Sequence, residues 1–153
     1  MMMNLLEQTN IFIDIIVASV LSGIIGIERE HQDKPAGIRT NIIIGGFSCL
    51  MISIISPVMI FLNTLSGENL SVDPLRIINA LILGVSFVGG GTIIKISERQ
   101  QVKGLTTAAT LLYSSGIGIC VALHLYILAI GLTLLTILIN HLLPRIIKGP
   151  KQE

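Results

Sequence analysis

Five apolar runs, each about 17 to 22 residues long, pass through the chain near 11–27, 41–62, 77–94, 105–123 and 125–143. A helix of that length covers roughly 30 Å at about 1.5 Å per residue, the thickness of bilayer hydrocarbon. Strands of a small sheet are much shorter, so the runs predict helices. Lipid offers the peptide groups no partners, and a helix supplies its own. Composition agrees: 52% of residues are apolar and 12% charged, where a soluble domain carries about 25% charged residues. The expectation is one all-α domain over 1–153, a polytopic membrane protein built as a bundle of five transmembrane helices. The first run lacks a basic leader and a clear cleavage site, so it is read as a retained helix and not a signal peptide.

Lys and Arg counts give an expected orientation. Arg29, Lys34 and Arg39 follow the first run; Lys95, Arg99 and Lys103 follow the third; Arg145, Lys148 and Lys151 follow the fifth. That is nine of the ten basic residues, and only Arg76 lies in the second connection. Five crossings put the three basic regions on one side, with the N-terminus outside and the C-terminus cytoplasmic. Basic residues this few and scattered exclude a surface that tracks nucleic-acid phosphates.

Punctuation marks the helix ends. Asp73-Pro74 reads as an N-cap with Pro at the first helical position. Thr40-Asn41 is expected to cap the second helix, and Thr106 or Thr107 the fourth. Pro57 should kink or end the second helix, and Pro144 and Gly149-Pro150 should stop the fifth. His124-Leu125-Tyr126 leaves room only for a tight antiparallel hairpin between the last two helices. Cys49 and Cys120 fall at different depths, so no disulfide is expected between them.

Small and hydroxylated residues recur at helical spacing: Ala18, Ser22 and Gly26; Gly45, Cys49 and Ser53; Thr107, Thr110, Ser114 and Gly118; Thr133, Thr136 and Asn140. Such stripes let helices approach closely; lined by hydroxyls, they also suit a solute path. Asp14 and Asn79 are the intramembrane polar residues, each near the outer end of its helix. Asp14 admits a structural role at interfacial water or a functional one. Asn79 suits helix pairing.

Three stretches are specified beyond hydropathy: Gly26-Ile27-Glu28-Arg29-Glu30 with Ala36-Gly37-Ile38-Arg39-Thr40; Phe87-Val88-Gly89-Gly90-Gly91; and Lys103-Gly104-Leu105-Thr106-Thr107-Ala108-Ala109-Thr110. In this order they resemble the membrane domain of the MgtC/SapB family, whose members read IGxER, AGLRT, GFLGAG and RGLxTAATLW. The match covers nearly the whole chain. It departs at Lys103, where the family has Arg, and at Leu112, where it has Trp. Many members carry a soluble C-terminal domain, and the chain looks like a short form without it. The resemblance implies a multi-pass protein of the bacterial inner membrane, tied to low Mg²⁺, acid stress or life inside host cells.

The motif residues Glu28, Arg29, Arg39, Thr40, Gly89, Gly90, Gly91, Lys103, Gly104 and Thr106 should gather at the cytoplasmic face. There Glu28 would pair with Arg39 or Lys103, and the leftover positive charge, with helix N-termini, would receive a phosphate, a headgroup or an acidic partner segment. Two functions follow: regulation of a membrane partner such as an ATP synthase or a transporter, or direct movement of Mg²⁺ or another small ion. A homodimer is compatible with the small-residue faces. No cofactor is expected beyond a possible role for Mg²⁺, and no carboxylate sits at the midplane to ligate one. His31, His124 and His141 stand apart from any nucleophile, so no enzyme is expected.

Overall fold

The computed structural model describes residues 4–66, 73–96 and 101–147. The helices are α1 (Leu5–His31), α2 (Ile38–Ser53), α3 (Ile55–Ser66), α4 (Pro74–Gly91), α5 (Leu105–Ala122) and α6 (Tyr126–Ile147). Between α4 and α5, β1 (Ile94–Ile96) pairs antiparallel with β2 (Gln101–Lys103), Ile94 opposite Lys103. α2 and α3 are the one expected second helix, interrupted at Ile54. The bundle of five membrane helices is therefore as expected. Leu5–His31, Ile38–Leu65, Pro74–Gly91 and Leu105–Ala122 are long and apolar enough to cross a membrane; Tyr126–His141 is a shorter apolar stretch. Large apolar side chains face outward, Ile127 at 90% and Phe87 at 85% exposed, which water would penalise and lipid does not.

α1, α2 and α5 form the centre, and the small-residue stripes are what bring them together. A Cβ on Gly26 would overlap the Ile38 backbone, one on Gly45 the Ser22 side chain, and one on Gly118 the Gly45 carbonyl. Ala18, Ile25, Cys49, Ile117 and Val121 pack beside these contacts, wholly buried. α4 joins along a thin seam of Leu81, Val85 and Gly89, with Gly89 against Ala108 of α5. α6 presents Ala129, Thr133, Thr136 and Asn140 inward.

Several boundaries differ from expectation for identifiable reasons. α1 starts at Leu5, where Glu7 accepts a hydrogen bond from the Asn4 N–H at 3.1 Å. The break at Ile54 sits just before Pro57, which has no N–H to offer the Ser53 carbonyl. Asp73 caps α4 as predicted, accepting from the Leu75 N–H at 3.0 Å. α4 ends at Gly91, short of 94, because Thr92 turns back with its hydroxyl on the Gly89 carbonyl at 2.7 Å. α2 is capped at Gly37 and α5 at Gly104, not at the threonines. Gly104 has φ 92°, and a Cβ there would strike the Thr92 carbonyl, so no other residue fits this turn well. The α5–α6 link is the expected tight hairpin, with His124 at φ 57°.

Pro144 does not stop α6, which continues to Ile147. Its missing N–H frees the Asn140 carbonyl, and Gln32, just past the end of α1, donates to that oxygen at 3.3 Å. Both cysteines are free. The expected stop at Gly149-Pro150 and the basic residues Arg99, Lys148 and Lys151 lie outside the described residues.

Candidate functional site

The C-terminal ends of α1 and α4 and the N-terminal ends of α2 and α5 meet at one end of the bundle, so the motif residues do converge there. Their roles differ from the expected ones. Arg29 is 1% exposed, held between α1 and α5, and its Nη2 donates to Thr107 Oγ1 at 2.8 Å. Its Nε is a buried donor with no partner. Glu28 pairs with neither Arg39 nor Lys103. It accepts from the amide of Gln32, the residue just past α1, and from Asn140 Nδ2 of α6 at 3.3 Å, tying α1 to α6.

The N-terminus of α2 is already satisfied in part. Glu30 Oε2 accepts from the Ile38 N–H at 3.0 Å, so a carboxylate of this chain holds the position expected for an external anion. Asn41, wholly buried, donates to the Ala36 and Gly37 carbonyls at 2.7 and 2.9 Å and accepts from Ser114 Oγ at 2.7 Å. Ala36 sits at φ 58°, and the Asn41 amide helps hold that turn.

Lys34, Arg39 and Lys103 are exposed, and Thr40 is half-buried. Lys34, Arg39 and Thr40, with Glu30, Gly37 and Ile38, line a shallow groove of ≈ 420 Å³. Thr106 is exposed, whereas Thr107 carries the contact to Arg29. Of the glycine triplet only Gly89 packs; a Cβ added at Gly90 or Gly91 would meet nothing within 4 Å. α4 runs unbroken through them to its end at Gly91, and the Gly89 and Gly90 carbonyls accept from the Thr92 and Ile93 N–H groups. Asn79 is exposed on α4.

The hydroxyl stripes are closed by internal bonds. Thr110 donates to the Thr107 carbonyl, Thr133 to that of Ala129 and Thr136 to that of Leu132, at 2.7 to 2.9 Å. Ser48 and Ser115 pair across α2 and α5 at 2.9 Å. This favours helix packing over a solute path.

Asp14 lies at the other end of the bundle, 5% exposed. Tyr126 donates to its Oδ1 at 2.8 Å, and His124 Nδ1 stands 2.9 Å from the Tyr126 hydroxyl and 3.6 Å from Asp14 Oδ2. His124 is therefore not isolated. Sequence reasoning gave His124 and Tyr126 a place in the hairpin, Asn41 a capping role and Asn140 a place in the α6 stripe, without their polar contacts, and it passed over Gln32.

The MgtC family matches residues 15–148. "Putative magnesium transporter YhiD" of Escherichia coli K12 is 36% identical over 127 residues, 83% of this chain and 57% of that protein. "Protein SapB" of Bacillus subtilis is 32% identical over 136 residues, 88% of this chain and 57% of that one. "Protein MgtC" of Salmonella typhimurium LT2 is 33% identical over 132 residues, 86% of this chain and 51% of that one. The chain thus spans about half the length of the curated relatives it matches. No solved structure matches it.

Proposed function

The chain belongs to the MgtC family, and on that premise we propose that it is a non-conducting component of the bacterial inner membrane that regulates a membrane partner during adaptation to low Mg²⁺ or acid and host stress. The observation that carries this is the closure of the centre. α1, α2 and α5 approach so closely at Gly45 and Gly118 that a methyl group does not fit between them. The polar side chains along the contact bond to one another or to backbone. A hydrated ion has no lane through such a seam.

The partner surface is the motif end, which the positive-inside pattern assigns to the cytoplasm. Arg29, Glu28, Glu30 and Asn41 are engaged in holding the turns. Lys34, Arg39 and Lys103 remain exposed and give that end a basic surface. Its complement is an acidic segment of a membrane protein such as an ATP synthase or a transporter.

Charge reversal tests the surface. Arg39→Glu should insert and fold normally, because the side chain is exposed, yet fail to restore growth at limiting Mg²⁺ to cells lacking the protein. Full restoration by Arg39→Glu defeats the proposal. Direct transport of Mg²⁺ or another small ion is the second reading, and the name borne by the YhiD relative favours it.

A further inference from the structure

A cavity of ≈ 1130 Å³ opens at the end of the bundle remote from the motifs, between α1, α3 and the α5–α6 link. The helix break creates it. α2 lies along α1, but past Ile54 the chain takes a new course, leaving Ser53, Ser56, Ile60 and Phe61 to wall a gap. Asp14 forms the floor. One turn deeper, Ala18 and Cys49 are wholly buried and the packed core begins.

The groups facing Asp14 are unusual for a buried carboxylate. From α1 comes Glu7, an acid; from α2 and α3, Cys49 and neutral hydroxyls; from the link, Tyr126 and His124. Among the described residues lining the cavity there is no Lys or Arg. Tyr126 satisfies Oδ1, while among the described residues Oδ2 has only His124 Nδ1 at 3.6 Å, beyond hydrogen-bond reach. A carboxylate withdrawn from water needs a cation and donors close by, and the described residues that line the cavity supply no permanent cation.

We propose that the cavity binds an alkylammonium group, from a free amine or from the amine headgroup of a phospholipid, with Asp14 as its counter-ion. An ammonium brings three donors and a full charge to Oδ2. Ser53 and Ser56 line the same space with acceptor oxygens, and Ile11, Ile60 and Phe61 offer apolar wall to a methylene stem. The volume is slightly above the range of about 300 to 1,000 Å³ typical of small-organic-ligand pockets, so it has room for such a ligand. A bare divalent ion fits less well: among the described residues no three His, Cys, Asp or Glu side chains come together as a metal site. The site lies opposite the proposed partner surface and does not depend on it.

Two probes test the proposal on the full chain: spermidine, titrated calorimetrically in detergent, and phosphatidylethanolamine against phosphatidylglycerol, compared by retention in native mass spectra. Saturable spermidine binding identifies a free amine, selective retention of phosphatidylethanolamine identifies the headgroup, and either supports the site. Asp14→Asn should weaken whichever is bound by roughly 30-fold or more. His124→Lys, which sets a tethered ammonium beside Asp14 and keeps the carboxylate, should abolish it. Failure of the unaltered chain to bind either probe overturns the proposal. So does undiminished binding in either variant that folds.

Discussion

Asn41 and Arg29 are both buried and stabilise the motif end in different ways. The Asn41 amide joins three partners, two carbonyls before α2 and the Ser114 hydroxyl of α5. Removing it leaves two carbonyls and a hydroxyl to find other partners. Asn41→Ala should cost about 1–3 kcal/mol of unfolding free energy, whereas Ser114→Ala, which deletes one bond, should cost about 0.6 kcal/mol in a membrane setting. The two losses should be non-additive in a double-mutant cycle followed by detergent unfolding. Arg29 is a buried charge with one hydrogen-bonded partner and one unpartnered nitrogen. Thr107→Val removes the partner and keeps the charge, so it should cost roughly 1.5–3 kcal/mol. Arg29→Met removes the charge, leaves only the neutral Thr107 hydroxyl without this partner, and should cost less, because apolar replacement of a buried ion is often near neutral. An Arg29→Met protein less stable than Thr107→Val would contradict this ordering.

The helices show why their positions were readable and their details were not. Length and hydropathy alone placed all five membrane helices, because each depends on a property summed over many residues. The stripes of small residues likewise marked the faces that meet: Ala18, Ser22 and Gly26 on α1 are buried against α2 and α5. The Asp73-Pro74 cap of α4 was legible locally, but other ends depend on single contacts that no local pattern announces. Glu30 caps α2 from another helix, and Gln32 replaces the donor that Pro144 lacks. Identical residue types can also have opposite consequences. Gly118→Ala should destabilise by about 2 kcal/mol through overpacking against the Gly45 carbonyl. Gly131→Ala, with nothing within 4 Å, should be neutral or stabilise by up to about 1 kcal/mol. Thermal unfolding in detergent compares them directly; equal effects would mean that α5 and α2 are not in backbone contact.

The molecule as a whole has two unlike ends joined by a closed centre. Motif order and spacing were enough to bring Glu28, Arg29, Gly89, Gly104 and their neighbours to one end. They could not say that Glu28 would turn to Gln32 and Asn140 instead of Arg39, since that choice depends on how α6 packs. The other end was less legible still. Asp14 stood out by its charge, but Tyr126 lies 112 positions away and reaches it only through the hairpin after α5. The exposed face of α4, with Asn79, Gly90 and Gly91, has no neighbour among the described residues that accounts for it.

The claim that the α1, α2 and α5 seam is closed bears on everything proposed for this protein. Mg²⁺ entry into sealed vesicles that contain the purified chain and no other protein measures it directly. The packed seam predicts uptake no faster than in empty vesicles, with or without a membrane potential. Uptake above that background, saturable in Mg²⁺ and lost in a variant of the seam, would contradict it.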